Sequence, residues 1–204
     1  NGLRRAETGK SGMKRTTVRK GRTLTARALA RRLKGIRLLA LDVDGVLTDG
    51  GLYYGDNGTV ARKFNVLDGV GIKKVLALGI EVAFVSAGTT QSIRHRARTL
   101  GVRHVLSGVS DKYAEVEKLR RKLKVPMAAV AHVGDDLNDL PLLRAVGLPL
   151  SVANGAPEVR ASAHYVTCRC GGEGAVREIC DLLAAGRNDG NGPVGRSMRR
   201  GDDG

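Results

Sequence analysis

A chain of 204 residues suits one domain with loose ends, and no apolar run in it is long enough to cross a bilayer. Its formal net charge of +15 is unevenly placed: residues 1–37 hold 13 Lys and Arg against one acid, Glu7, and the rest of the chain is nearly balanced. The start is basic but no apolar segment follows it directly, so a secretory signal is not expected and a cytoplasmic protein is.

Residues 1–24 read as a basic, disordered tail, Lys, Arg, Thr and Gly with few large apolar side chains. Such an arm can meet nucleic acid or an acidic surface. It has no aromatic residue to stack on bases, so nucleic acid is not the expected partner. Thr25 to Lys34 form a short amphipathic helix, with Leu29 and Leu33 four apart. "IRLLALD" is then a buried strand, and "GLYYGDNGTVARKFNV" alternates and turns at Asp56-Asn57-Gly58, a hairpin signal. From there helices and strands alternate. Helix "LDGVGIKKVLALG" precedes strand "IEVAFVS", and helix "TTQSIRHRARTLG" precedes the short strand "VRHVLSG". Helix "SDKYAEVEKLRRKLKV", capped by Ser or Asp, precedes strand "MAAVAHVGD". Helix "LNDLPLLRAVG" precedes strand "LPLSVAN", a short helical turn precedes strand "HYVTC", and "EGAVREICDLLAAG" is a last helix. The Gly- and Arg-rich residues 186–204 are expected to be loose.

This order predicts an α/β fold, a three-layer, Rossmann-like parallel sheet over residues 25–185. The hairpin interrupts the alternation and should project beyond the carboxyl edge of the sheet, where ligands bind in such folds. Three cysteines, Cys168, Cys170 and Cys180, are an odd, late cluster and read as reduced thiols rather than a disulfide framework or a metal site.

The chemistry begins at "LLALDVDGVLTDG". Asp42 and Asp44 stand two apart where a strand ends, so both can face one crevice. A second acidic cluster, Asp135, Asp136 and Asp139, follows another apolar strand and should reach the same edge. Carboxylates gathered this way repel one another unless a cation joins them, and an oxygen-only set suits Mg²⁺. Ser86 ends "VAFVS" and Lys112 opens a helix, so a hydroxyl and an ammonium should stand beside the acids. That set fits phosphoryl transfer: a carboxylate to attack phosphorus, a second to handle the proton, and donors for the phosphoryl oxygens. Asp136 and Asp139 equally fit a helix cap. His95, His104, His132 and His164 show no clustered spacing and receive no role.

"DVDGVLTDG", Ser86, Lys112 and "GDDLND" together resemble the four motifs of the haloacid dehalogenase superfamily phosphatases. With "FNVLDGVGI" and "GGEGAVREICDLL", the chain resembles the capless branch, the 3-deoxy-D-manno-octulosonate 8-phosphate phosphatases. The resemblance implies Asp42 as nucleophile and metal ligand, and Asp44 as acid/base with its carbonyl on Mg²⁺. It implies Asp135 as metal ligand, Asp136 and Asp139 in support, and Ser86 and Lys112 on the phosphoryl group. It further implies substrate contacts from Asn65, Val66, Leu67, Asp68 and Gly69, with Lys73 and Arg96 as basic contacts to an acidic sugar. A homotetramer closed by neighbours, built partly through the hairpin, goes with the missing cap. Two positions depart from the pattern: Gly88 stands where the family usually has Arg, and Glu173 where these enzymes often carry Arg. The expected activity is therefore Mg²⁺-dependent hydrolysis of a phosphorylated 3-deoxy-2-ulosonic acid. A nonulosonate 9-phosphate is a rival substrate, and a catalytically silent assembly domain of the same fold a rival reading.

Overall fold

The computed structural model describes residues 24–188, so the disorder expected for the start and the far end of the chain lies outside the described residues. Helix α1 (Ala26–Gly35) leads into strand β1 (Leu38–Asp42), followed by a short ribbon of β2 (Tyr53–Tyr54) and β3 (Val60–Ala61). Next come α2 (Val66–Ala77), β4 (Glu81–Ser86), α3 (Gln91–Leu100), β5 (His104–Ser107) and α4 (Lys112–Lys122). The second half runs β6 (Val130–Gly134), α5 (Leu140–Ala145), β7 (Leu148–Ser151), α6 (Pro157–Ser162), β8 (Tyr165–Val166) and α7 (Ala175–Asn188).

Six strands form one sheet in the order β5-β4-β1-β6-β7-β8, every pair parallel. The chain lays strands outward on one side of β1 and then on the other, so the winding reverses beside β1. In such sheets a crevice opens there, at the carboxyl ends of the strands. All five residues of β1 are buried, which is why the run is apolar without alternation. Successive side chains still take opposite faces. Leu39 and Leu41 pack with Phe84 and Val133 beneath α1, α2, α3 and α7, while Leu38 and Ala40 pack with Val85 and Val130 beneath α4 and α5. Asp42 continues the second set, and so comes out on the side where α4 begins.

Local signals account for the element ends. Asn65 caps α2 by accepting from Leu67 N at 2.8 Å. Asp111, rather than Ser110, caps α4 by accepting from Ala114 N at 3.0 Å. The hairpin turns as its sequence predicts: the Asn57 side chain accepts from Thr59 N at 3.1 Å, and Gly58 takes φ +78. Two expectations need correction. The single helix predicted over "LNDLPLLRAVG" is split into a 3-10 turn, Leu137–Asp139, and α5, with Pro141 in the first turn of α5, where its missing N–H costs nothing. The loose segment expected from Gly186 onward begins too early, since α7 runs to Asn188. Its last turn lies against α1, and Arg187 Nη2 donates to Ile36 O at 2.8 Å.

Candidate active site

The turn after β1 is shaped by its own side chains. Thr48 is fully buried and knots the loop: its hydroxyl donates to Val43 O and accepts from Gly45 N and Gly50 N at 3.2–3.3 Å. Gly45 adopts φ +89, and a Cβ there would stand 2.0 Å from Asp135 Oδ2. Only glycine allows both the turn and the close approach of Asp135. A strap from the late Gly-rich segment covers the same loop. Gly172 N donates to Val46 O at 3.1 Å, and Asn154 holds Gly171 N at 2.7 Å while donating to Gly45 O at 3.4 Å.

Carboxylate oxygens of Asp42, Asp135 and Asp139 all lie within 4.8 Å of one another. Lys112, itself buried, bridges two of them: Nζ is 2.9 Å from Asp42 Oδ1 and 2.7 Å from Asp139 Oδ1. His132, wholly buried in β6, approaches the same Asp139 oxygen with Nε2 at 2.8 Å, while its Nδ1 lies 3.1 Å from Ala40 O. The other Asp139 oxygen accepts from Asp135 N at 3.2 Å and Asp136 N at 3.4 Å. Burial alone would raise Asp139, but His132 and Lys112 outweigh it and hold the carboxyl down at about 2. Burial and the charge of Asp139 push Asp42 up to about 7, against the pull of Lys112. Burial likewise raises Asp135 to about 6. Burial opposes the charge on Lys112, but Asp42 and Asp139 keep the ammonium above its usual range. The Oδ1 of Asp135 is buried with no hydrogen-bond partner among the described residues. Clustered hard oxygens, one of them orphaned, fit a divalent cation.

Asp44 is held apart from this cluster. Arg62, at the foot of the hairpin, grips it from the side: Nε to Oδ1 is 2.6 Å and Nη2 to Oδ2 is 3.1 Å. The same guanidinium donates to Thr90 Oγ1 and, at 3.5 Å, to Ser92 Oγ. Thr90 stands at the cap position of α3 but makes no side-chain cap, its hydroxyl being taken by Arg62. Gly88 leaves the room for this: a Cβ there would lie 3.0 Å from Arg62 Nη2, 3.3 Å from Ser86 Oγ and 3.6 Å from Asp44 Oδ2. Ser86, buried at the end of β4, thus stands beside Asp44 and accepts from Gly88 N at 3.0 Å.

The predicted substrate contacts divide. Val66, Leu67 and Lys73 are exposed. Asn65 caps α2 and donates to Gly172 O at 3.1 Å, which ties it to the strap. Asp68, expected among the substrate contacts, turns inward. It is buried, and its Oδ1 accepts from Arg177 N at 2.8 Å in the first turn of α7, where N–H groups lack helical partners. Gly69 is buried beneath Arg96 and Leu100. Arg96 donates to Asn65 O at 2.7 Å and lies 5.6 Å from the centre of the Phe64 ring, so it braces the loop leading into α2. Asp136 caps the 3-10 turn, with Asp139 completing the capping box. Three participants have no role in the sequence reading: Arg62 and Asn154, which it does not single out, and His132, to which it gives none. Only His132 carried a local signal, as a polar residue inside the otherwise apolar run "AVAHVG".

The chain is similar to known proteins. A haloacid dehalogenase-like hydrolase family matches residues 101–177. The chain is 47% identical over 150 residues to the 3-deoxy-D-manno-octulosonate 8-phosphate phosphatase of Escherichia coli (strain K12), covering 74% of this chain and 80% of that protein. The solved structure of the phosphatase of that name from Moraxella catarrhalis, in complex with magnesium, phosphate and KDO, superposes with a TM-score of 0.79. Its identity is 36%, over 81% of this chain and 95% of that one. The cobalt-bound phosphatase from Haemophilus influenzae gives a TM-score of 0.75 at 34% identity, over 77% of this chain and 92% of that one. The chain belongs to the haloacid dehalogenase-like hydrolases, beside the octulosonate phosphatases, and is by type a phosphoric monoester hydrolase.

Proposed function

We propose that this protein hydrolyses the phosphate monoester of a 3-deoxy-2-ulosonic acid, 3-deoxy-D-manno-octulosonate 8-phosphate, with Mg²⁺ and through an aspartyl-phosphate on Asp42. The observation that carries the reading is the cluster of buried Asp42, Lys112 and Asp139 with half-buried Asp135, one of whose carboxylate oxygens has no partner among the described residues. Asp42, Asp135 and the backbone carbonyl of Asp44 would hold Mg²⁺, whose charge offsets that of the carboxylates and of the phosphoryl oxygens.

Asp42 attacks phosphorus and the bond from phosphorus to the sugar oxygen breaks. Asp44 gives that oxygen its proton, then takes one from the water that displaces Asp42. The hydroxyl of Ser86 and the ammonium of Lys112 face the phosphoryl oxygens. An ammonium has three donors, and Lys112 spends two on Asp42 and Asp139, leaving one for substrate. The acidic end of the sugar meets the rim formed by Asn65, Val66 and Leu67, with Lys73 one turn further along α2.

Phosphate release with Mg²⁺ across a panel of sugar phosphates tests this, with Asp42→Asn run beside wild type. Turnover of octulosonate 8-phosphate, lost in the variant, supports the assignment. Preference for a nonulosonate 9-phosphate would transfer it to the second substrate, a reading favoured by Gly88 and Glu173. No turnover by a folded protein that binds Mg²⁺ would favour a silent assembly domain.

We also propose that the working form is a homotetramer in the cytoplasm. Tyr53 and Tyr54 are 60% and 73% exposed on the hairpin among the described residues, an aromatic surface that a neighbouring copy would cover. A monomer by light scattering at working concentration would end that part of the proposal. Among the described residues no helix is long and apolar enough to cross a membrane.

A further inference from the structure

The Arg62–Asp44 pair is unusual in its asymmetry. The Arg62 side chain is 3% exposed and the Asp44 side chain 34%. One edge of the carboxyl is therefore sealed against a buried guanidinium while the rest stays open. Arg62 Nε and Nη2 take one acceptor site on each oxygen, in the fork geometry that fixes the plane of a carboxylate. The fork is itself anchored, because Nη1 reaches Thr90 and Ser92 at the start of α3. Gly88 completes the fit by contributing no side chain to the space that Nη2 occupies.

We propose that Arg62 is a positioning residue for Asp44: the hairpin delivers a buried guanidinium that fixes the carboxyl plane and leaves the acid's free acceptor sites toward the crevice. The inference rests on the acid/base reading of Asp44. The proton Asp44 handles must travel along a set direction to the leaving oxygen, and a carboxyl free to rotate would offer it in many. Arg62 touches neither phosphorus nor the leaving oxygen in this scheme and acts only through Asp44. The hairpin is thereby coupled to the chemistry, since Arg62 directly follows the last residue of β3.

A double-mutant cycle in the full chain tests this, using Mg²⁺ and octulosonate 8-phosphate with thermal unfolding recorded for each variant. Arg62→Met is expected to lower kcat by about tenfold to a hundredfold with KM within about threefold, and Arg62→Lys to recover part of the loss. In an Asp44→Asn background the same Arg62→Met change should cost nothing more, because its only route of action is gone. An equal loss in that background, or a raised KM at unchanged kcat, would make Arg62 a direct substrate contact and overturn the proposal. So would an unchanged kcat in Arg62→Met. If Arg62→Met unfolds, Arg62→Lys carries the cycle. Full activity of Asp44→Asn alone would overturn the acid/base reading itself, an outcome distinct from the others.

Discussion

Lys112 Nζ stands 2.9 Å from Asp42 Oδ1, with both side chains almost out of reach of water. A lysine at the first position of a helix would ordinarily be solvated. Here the helix points its first turn into the crevice, and the ammonium becomes the counter-charge for two acids.

Replacing Lys112 with Met should therefore cost stability as well as activity. The substitution keeps the volume of the stem and strands two buried carboxylates without their cation. The expected loss is about 3–5 kcal/mol in urea denaturation without divalent cation. Saturating Mg²⁺ should return part of it, and a loss that ignores Mg²⁺ would argue that the two cations do not share these acids.

Much of this was legible in the sequence, and the reason is geometric. Residues that end parallel strands or begin the following helices must arrive at one edge, so Asp42, Ser86, Lys112 and Asp135 could be placed together from strand ends alone. Arg62 could not. It sits on a hairpin whose path across the crevice is set by packing, and its spacing from Asp44 has no periodic meaning. The place of Asp68 is equally non-periodic: the resemblance implied a substrate contact, and the helical turn rotates the side chain inward to the start of α7.

The pH dependence follows from the acids. Asp42 and Asp135 lie above the ordinary 3.8 for this carboxyl, at about 7 and about 6, so the fold without divalent cation binds their protons more tightly than the unfolded chain does. Their contribution to stability is full below pH 3.8 and is lost as pH rises through about 6 and about 7. Asp139 works oppositely: held at about 2, it stabilises above its unfolded value, and that is lost as pH falls through about 2. Because Mg²⁺ takes the ionised carboxylates, the rise in Tm on adding it should be larger at pH 8 than at pH 5. Equal rises at both values would contradict the assignment of these acids.

His132→Phe removes both ring nitrogens while keeping a ring in β6. Asp139 Oδ1 keeps Lys112 but loses the ring, and Ala40 O loses its side-chain contact, each deep in the protein, and the expected cost is about 1–3 kcal/mol in all. Chemical denaturation measures this directly. Turnover should also fall, because the Asp139 oxygen that His132 holds is the one that positions Lys112.

Gly45→Ala tests the close approach of the two acidic segments. The φ of +89 disfavours any side chain, and the new methyl would meet Asp135 Oδ2. Strain of this kind costs on the order of 1–3 kcal/mol. The Mg²⁺ concentration needed for half-maximal activity should rise as Asp135 is pushed aside. An unchanged Mg²⁺ requirement would place the cation elsewhere.

The packing of α1 on the last turn of α7 has a topological consequence. Leu33 and Gly186 lie so close that a Cβ on Gly186 would stand 3.0 Å from the Cβ of Leu33. Helix α1 feeds the amino end of β1, so this junction sits at the edge of the sheet away from Asp42. A linker that spans the length of α1, about 15 Å, from the end of α7 back to the start of α1, with new termini cut at Asp56–Gly58 in the exposed hairpin turn, would give a circular permutant that retains all six strands and the acids of the crevice.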